Sequence, residues 1–343
     1  MIGIGMAGAG FWANMIQLPV FQQIPEYDVV GVLSWDPANA KKTAAKFNIR
    51  KAYNSVAELI MDPEVQVVNI CAPNYLHSEI ALAAFEHGKD VICIKPLASS
   101  LAAAHAMVQA AERAGRLLLY AENVKFIPAL TRLKAMVDGG SYGSLFRVKA
   151  CEGIGKPHAD WFRDRRLSGG GCVIDMAVHG LAFLNWFAED SRPVRIHAEV
   201  GTFLHPYDVE DTSVIVVRFE NGMIGQTEDS WSLAGGFDSR FEVFGTKGHA
   251  HLDLLSGHPI RSALGGANEG GGSLFHYHAV EEHFVRDGHL AMFSHFHDCL
   301  LSGEVCRSAG ADGLRIMEVI DAAYQTISKQ DPKELGKQVE TAQ

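Results

Sequence analysis

The sequence predicts an α/β protein of two domains. The first, over residues 1–123, is a doubly wound parallel sheet; the second, over 124–343, is built on a largely antiparallel sheet. Three observations carry this. The chain has 343 residues, more than one hydrophobic core usually serves. Up to Asn123, apolar β-branched runs alternate with helical stretches, as in a parallel sheet covered on both faces. From 194 to 254 the helical pattern gives way to consecutive strands, and Asn221-Gly222 marks a hairpin between two of them.

The elements follow in order. "IGIGMAG" reads as a buried strand, with a helix from Trp12 to about Gln23. "DVVGVLSW" is a second strand, and "PANAKKTAAKFN" a helix with Pro37 near its start. "VQVVNICAP" is a third strand, followed by "HSEIALAAFEHG", a helix ending on Gly88. "KDVICIKP" and "RLLLYAEN" are the fourth and fifth strands. Between them "SSLAAAHAMVQAAERAG" is a helix closed by Gly115. Beyond Asn123 come a helix at "FIPALTRLKAMVDGG" and a strand at "LFRVKACEG". "VRIHAEVGTF", "TSVIVVRFE", "GMIGQTEDSW", "RFEVFGT" and "HAHLDLL" then read as a meander. "GGANEGGG" reads as a flexible loop, and long helices follow near 291–303 and 310–328.

Composition excludes several classes of function. Hydrophobic residues at 48% and charged residues at 20% suit an ordinary soluble globular chain. The net charge of −10, without a cluster of Lys or Arg, speaks against a nucleic-acid partner. No apolar run approaches the roughly 20 residues that span a bilayer, and the first residues lack the basic region of a secretory signal, so no membrane role is expected. The six cysteines are scattered without a C-x-x-C pair, and several sit in apolar runs as buried free thiols do. A reducing, cytoplasmic location is the expectation.

"MAGAGFWA" places Gly8, Gly10 and Ala13 at the spacing G-x-G-x-x-A, directly after a strand and at the opening of a helix. Gly8 allows the tight turn, Gly10 lets the backbone approach a pyrophosphate, and Ala13 keeps helix and sheet close. The anion then rests on the helix N-terminus, as in the Rossmann dinucleotide fold. The end of the second strand selects the cofactor. There, in "VLSWDP", Ser34 stands where an acidic residue would hold the ribose 2′-hydroxyl and repel a 2′-phosphate. Ser34 admits NADP, but no Arg follows to hold the phosphate. Trp35 is placed to stack on adenine or to close a strand end. NAD and NADP both remain open.

Two further features carry chemistry. Lys95 ends the apolar strand "VICIKP", where a doubly wound sheet forms its ligand crevice. "GGGCVIDMAVHG" holds Asp175 and His179 four residues apart, on one face if the segment is helical. A metal at that pair would need another ligand, and none stands nearby at a recognisable spacing. The histidine-rich end, with His276, His278 and His283 beside Glu281 and Glu282, fits no standard zinc pattern either. No metal is expected. That end reads as a polar loop and helix start bordering the active site or a subunit contact.

"GAGFWA", "APNYLH", "IKP", "AENVKFIP" and "GGGCVIDMAVHG", in this order and at these distances, resemble the Gfo/Idh/MocA family, from Ile2 to about Ser328. The combination of K-P with GGG…D…H is far more specific than the glycine motif alone. The resemblance implies an N-terminal Rossmann domain, a C-terminal α/β domain with an open sheet, and NAD(P)-dependent oxidation or reduction at a sugar or cyclitol carbon. It matches the family's catalytic Lys, Asp and His to Lys95, Asp175 and His179. The glycine turn with Gly8, Gly10, Phe11 and Trp12, and the strand ends with Ser34, Trp35, Lys95 and Glu122, are expected against the cofactor; by the resemblance Pro73, Asn74 and His77 border it too, while their position alone would make Asn74 and His77 loop and helix-cap residues. The resemblance also implies a homodimer or homotetramer formed through the uncovered sheet face. In one departure, the family's usual E-K-P is Ile94-Lys95-Pro96 here, which bears on how Lys95 is oriented.

Oxidising a secondary alcohol moves a hydride to the nicotinamide and a proton to a base. His179 is the candidate base and Lys95 the group that stabilises alkoxide character. Asp175 holds a neighbouring hydroxyl, or fixes Lys95 or His179. Asn123, His158, Trp161 and Arg163 are candidate pocket residues, since an aromatic face suits the C–H face of a sugar while His and Arg donate to hydroxyls or a carboxylate. Two other readings stay open: an enzyme that oxidises transiently with a retained cofactor, and a non-catalytic dinucleotide-binding regulator.

Overall fold

The computed structural model describes residues 1–189, 191–256, 259–265, 275–278 and 284–329. Its first sheet is parallel throughout. Strands β1 (Ile2–Ala7), β2 (Tyr27–Leu33), β3 (Lys51–Tyr53), β4 (Val67–Ile70), β5 (Asp90–Ile94) and β6 (Leu118–Ala121) lie in the order β3-β2-β1-β4-β5-β6. This is one strand more than the sequence predicts. Lys51–Tyr53 is too short and too polar to show a period, and only its pairing with β2 makes it a strand. The order reverses between β1 and β4, so the crevice opens beyond the carboxyl ends of these two strands.

Local signals fix the helices of this half. Asp36 caps Pro37–Phe47 by accepting the Ala38 amide at 2.9 Å, and Asn48 ends it in the left-handed region. Ser100 caps Leu101–Ala114, and Gly115 closes it at φ 60°. The helix after β4 starts at Asn74, three residues earlier than its apolar pattern suggests, so Asn74 and His77 are both helical.

The second sheet has eight strands: β7 (Leu145–Ile154), β8 (Pro193–Gly201), β9 (Thr212–Phe219), β10 (Ile224–Ser230), β11 (Phe237–Gly245), β12 (Gly248–Asp253), β13 (Ile260–Leu264) and β14 (Phe275–His278). Their order is β14-β13-β12-β11-β7-β10-β9-β8. The hairpin at Asn221-Gly222 joins β9 to β10. The expected meander is interrupted, because β7 inserts between β10 and β11, parallel to the first and antiparallel to the second. Alternation alone cannot show which strand becomes a neighbour.

One face of this sheet is covered by the helix Ala177–Ala188, which is buried along most of its length. Gly180 rides directly on Thr227 and Ala150, where any side chain would collide. Phe183 is fully buried between Phe187 and Phe241, so truncating it to alanine would cost about 3–5 kcal/mol. The helix Phe284–Ser302 begins earlier than expected and returns to the first sheet, placing Phe293 against Phe21. No single helix among the described residues is long and apolar enough to cross a membrane.

Candidate active site

A cavity of about 660 Å³ runs from the carboxyl ends of the first sheet to the inner face of the second. At one end lies the turn after β1. Gly8 sits at φ 129°, and a Cβ there would collide with the Cys71 carbonyl. A Cβ on Gly10 would meet no protein atom within 4 Å, so its bare backbone faces the cavity. Phe11, Trp12, Ser34, Trp35, Pro73 and Asn74 line the same end. Asn39 reaches back to the Ala9 carbonyl at 2.9 Å and lies 3.5 Å from Ser34 Oγ. The turn is therefore held from behind while its front stays open.

Lys95 enters from the end of β5. Its Nζ donates to Asp175 Oδ1 at 2.8 Å and to the Asp175 carbonyl at 2.7 Å. The second carboxylate oxygen of Asp175 accepts the Trp231 indole N–H at 2.9 Å. Burial works against ionising Asp175. The Lys95 charge and the hydrogen bonds from Lys95 and Trp231 outweigh it and hold the carboxyl below its ordinary range. Asp175 thus orients Lys95 without help from residue 94, and Ile94 is a buried apolar part of the cavity wall.

Asp175 and His179 do not share one helix. Cys172–Asp175 ends at Met176, and Ala177–Ala188 starts at an angle of 50° to the preceding helical segment. The two side chains take separate partners. His179 Nδ1 lies 2.7 Å from Glu122 Oε1. Glu122 Oε2 accepts the Val124 amide at 3.1 Å, so the carboxyl is held in place beside the ring. That leaves His179 Nε2 for the cavity, which the ring lines.

The three glycines before Asp175 serve packing. None of them lines the cavity. A Cβ at Gly169 would strike Ser99, one at Gly170 the Tyr324 hydroxyl, and one at Gly171 the Glu210 backbone. Glu210 Oε1 accepts the Gly171 amide at 2.8 Å and the Tyr324 hydroxyl at 2.7 Å. The run lets the chain pack tightly between domains and so fixes Asp175 from below.

Asn123, His158 and Trp161 line the cavity as expected. His158 stacks on Phe11, centroids 5.2 Å apart. Three predicted site residues lie away from the wall. His77 is fully buried with its ring nitrogens 3.0 Å from the Pro96 carbonyl and 2.9 Å from the Ala72 carbonyl, so it holds the Lys95-Pro96 turn from behind. Glu122 stands behind His179. Arg163 turns outward to Asp160 at 3.0 Å and lies over the Tyr207 ring. A neighbouring carboxylate and an aromatic face outside the pocket satisfy its guanidinium.

Other wall residues carry no sequence signal of their own: Ile154, Phe162, Met176, Phe237, Glu152 and Ser239. His289, in the histidine-rich stretch, also lines the cavity. Burial lowers its pKa to about 4. The side chains of His276, His278 and His283, and Glu281 and Glu282, lie outside the described residues, as does most of the glycine loop. Elsewhere, His295, Cys299 and Cys306 bring ligand atoms within 4.8 Å of one another, but His295 Nε2 already accepts the Arg307 amide at 3.0 Å.

Comparison with known proteins places this geometry. Residues 2–122 match the model of an oxidoreductase family with an NAD-binding Rossmann fold, and residues 130–251 match the GFO/IDH/MocA C-terminal domain. Trans-1,2-dihydrobenzene-1,2-diol dehydrogenase of Mus musculus is 32% identical over 73% of this chain and 74% of its own length. Myo-inositol 2-dehydrogenase of Thermotoga maritima is 30% identical over 83% of this chain and 84% of its own. The crystal structure of GenD2 from gentamicin A biosynthesis, in complex with NAD, superposes with a TM-score of 0.85 at 25% identity, covering 96% of this chain and 94% of that one. A glycine turn open to a dinucleotide, a paired lysine, a paired histidine and these matches agree: the chain belongs to the Gfo/Idh/MocA family of NAD(P)-binding oxidoreductases.

Proposed function

We propose that the cavity oxidises a secondary alcohol, or reduces the matching ketone, on a sugar, sugar derivative or cyclitol, with Lys95, His179 and Asp175 as its working groups. One observation carries this reading. Two oriented pairs, Lys95 with Asp175 and His179 with Glu122, meet in a single cavity whose far end is the open glycine turn. The turn suits a nicotinamide dinucleotide, because Gly10 leaves its backbone bare toward the cavity and the first helix begins there. The dinucleotide supplies the hydride acceptor or donor.

The chain's own residues do the rest. His179 gives Nδ1–H to Glu122 and presents Nε2 as the base that takes the hydroxyl proton. Lys95 spends donors on Asp175 and keeps one for the reacting oxygen, which it steadies as negative charge develops. Asp175 positions the ammonium. Asn123 and His158 donate to other hydroxyls. Ser34 leaves both NAD and NADP admissible. The residues before and after Asn123 form the cofactor and substrate parts. Exposed Val194, Val214 and Val216 on the outer face of β8 and β9 suit contact with a second copy of the chain.

The test is a fluorescence titration of folded, cofactor-free protein with NADH and, separately, NADPH. A polyol screen with the tighter cofactor follows, with mass by light scattering on the same sample. Saturable binding and net reduction of added oxidised cofactor are expected, with a mass above one chain. Failure to bind either dinucleotide would end the reading. Chemistry without net reduction would mean a retained cofactor.

A further inference from the structure

The wall at the substrate end contains a carboxyl group that the proposed chemistry does not use. Glu152 sits near the end of β7, between Asp229 of β10 and Ser239 of β11 in register. Along β7, Val148 and Ala150 are fully buried and Glu152 continues the same face toward the cavity. The residue is only 6% exposed, yet it lines the cavity. The Ser239 hydroxyl donates to its Oε1 at 2.8 Å. No other protein group among the described residues bonds to its carboxyl. Asp229 differs: it accepts the Thr227 hydroxyl at 2.9 Å, with Ser213 at 3.5 Å, and does not reach the wall.

The other oxygen of Glu152 has no protein partner among the described residues and opens to the cavity, where a partner on a ligand can reach it. Its surroundings say what that partner is. Ile154, Trp161, Phe162, Met176 and Phe237 give the wall a largely apolar face. Among the described residues the only Lys or Arg in the lining is Lys95, already held by Asp175. A carboxylate or phosphate on the substrate would meet, among the described residues, no Lys or Arg except Lys95, whose one remaining donor serves the reacting oxygen. A hydroxyl would meet an acceptor, and Ser239 beside it.

We infer that Glu152 and Ser239 form a hydroxyl-binding subsite that selects a neutral, ring-shaped polyol and rejects sugar acids and sugar phosphates. The inference rests on the oxidoreductase reading above and names its substrate class. Burial, first of all, pushes the Glu152 carboxyl well above its ordinary range; the Ser239 bond opposes this, and the nearby Asp229 and Glu122 carboxyls add to it. A carboxyl kept neutral can both donate to and accept from a hydroxyl.

The experiment uses the full-length protein with its nicotinamide cofactor. Probes are neutral cyclic polyols, including myo-inositol, and glucose with glucuronate and glucose 6-phosphate. Glu152→Leu, Glu152→Gln and Ser239→Ala are compared with the wild type. The neutral substrates should win by at least about 100-fold in kcat/KM, as unpaired buried polar groups dictate. Glu152→Leu should raise KM by about 10- to 100-fold with NADH affinity unchanged, the loss of one hydroxyl contact. Glu152→Gln keeps a donor and an acceptor and should stay within about threefold; it also covers the case in which the leucine variant does not fold. Charged sugars handled as well as neutral ones, or a folded Glu152→Leu enzyme with wild-type KM, would overturn the subsite. A wild type that binds NADH yet oxidises no polyol would instead remove the reading beneath it, and is told apart before any variant is made.

Discussion

The two ends of the cavity are built in opposite ways. The cofactor end is one continuous unit, β1, its glycine turn and the helix that follows, flanked by the ends of neighbouring parallel strands. The other end, the proposed substrate site, is assembled from β5, β7, β11 and the helices around 172–188 and 284–302, which are distant in sequence. At the first end backbone geometry does the work. At the second, side chains do it, each fixed by a partner from another element. Lys95 depends on Asp175 eighty positions away, and His179 on Glu122 fifty-seven away. A backbone site should be broken by adding atoms, and a side-chain site by removing them.

The largest test removes atoms. His179→Ala should lower kcat by about 10²–10⁴-fold, the usual worth of a positioned acid–base group, while NADH affinity stays near wild type. Glu122→Gln, which keeps the size but not the charge, should cost about 10²-fold through misorientation of the ring. Stopped-flow and steady-state rates on both variants would check this. Wild-type turnover in folded His179→Ala would show that the second end does not work through paired side chains.

Adding atoms probes the first end, and its two glycines should separate. Gly8→Ala forces a left-handed φ and a clash with Cys71, so it should destabilise the fold by about 1–3 kcal/mol. Gly10→Ala meets no protein atom and should leave the melting temperature almost unchanged while weakening NADH binding. Calorimetry and fluorescence titration give the two numbers. Equal NADH affinity in Gly10→Ala would mean that the dinucleotide does not approach there.

An effect confined to acid pH sits where the ends meet, at His289. Its pKa falls from 6.5 to about 4 because burial disfavours the charged ring; the Val285 carbonyl opposes this and His179 adds to it. Between those values the unfolded chain binds the proton and the folded chain does not. Stability should therefore rise with pH from about 4 to 6.5, be complete above 6.5, and be lost as pH falls. His289→Asn should flatten that part of a denaturation profile. A slope unchanged by the substitution would assign it to other groups.

How much of this was legible follows the same division. Gly8, Gly10, Lys95, Asp175 and His179 stand out because each sits where a strand ends or a glycine run precedes it, and local pattern carries that information. Arg163 misled, since its type suits a pocket but its partners Asp160 and Tyr207 lie outside. Glu152 and Ser239 gave no signal, because a polar residue near a strand end is ordinary until its neighbours are known. The glycines at 169–171 were legible as glycines but not in purpose, as the collisions they avoid involve Ser99, Glu210 and Tyr324.

By itself, the sequence determined the alternation of strands and helices up to Asn123, the glycine turn after β1, and Lys95, Asp175 and His179 as the candidate working side chains. Those depend on backbone propensity and spacing within one supersecondary unit, which a short segment contains in full. Tertiary structure alone decided the insertion of β7 beside β10, the pairing of Lys95 with Asp175 and of His179 with Glu122, and the row Asp229–Glu152–Ser239 across three strands. Those depend on register between distant strands, and a one-residue slip would turn every side chain to the other face.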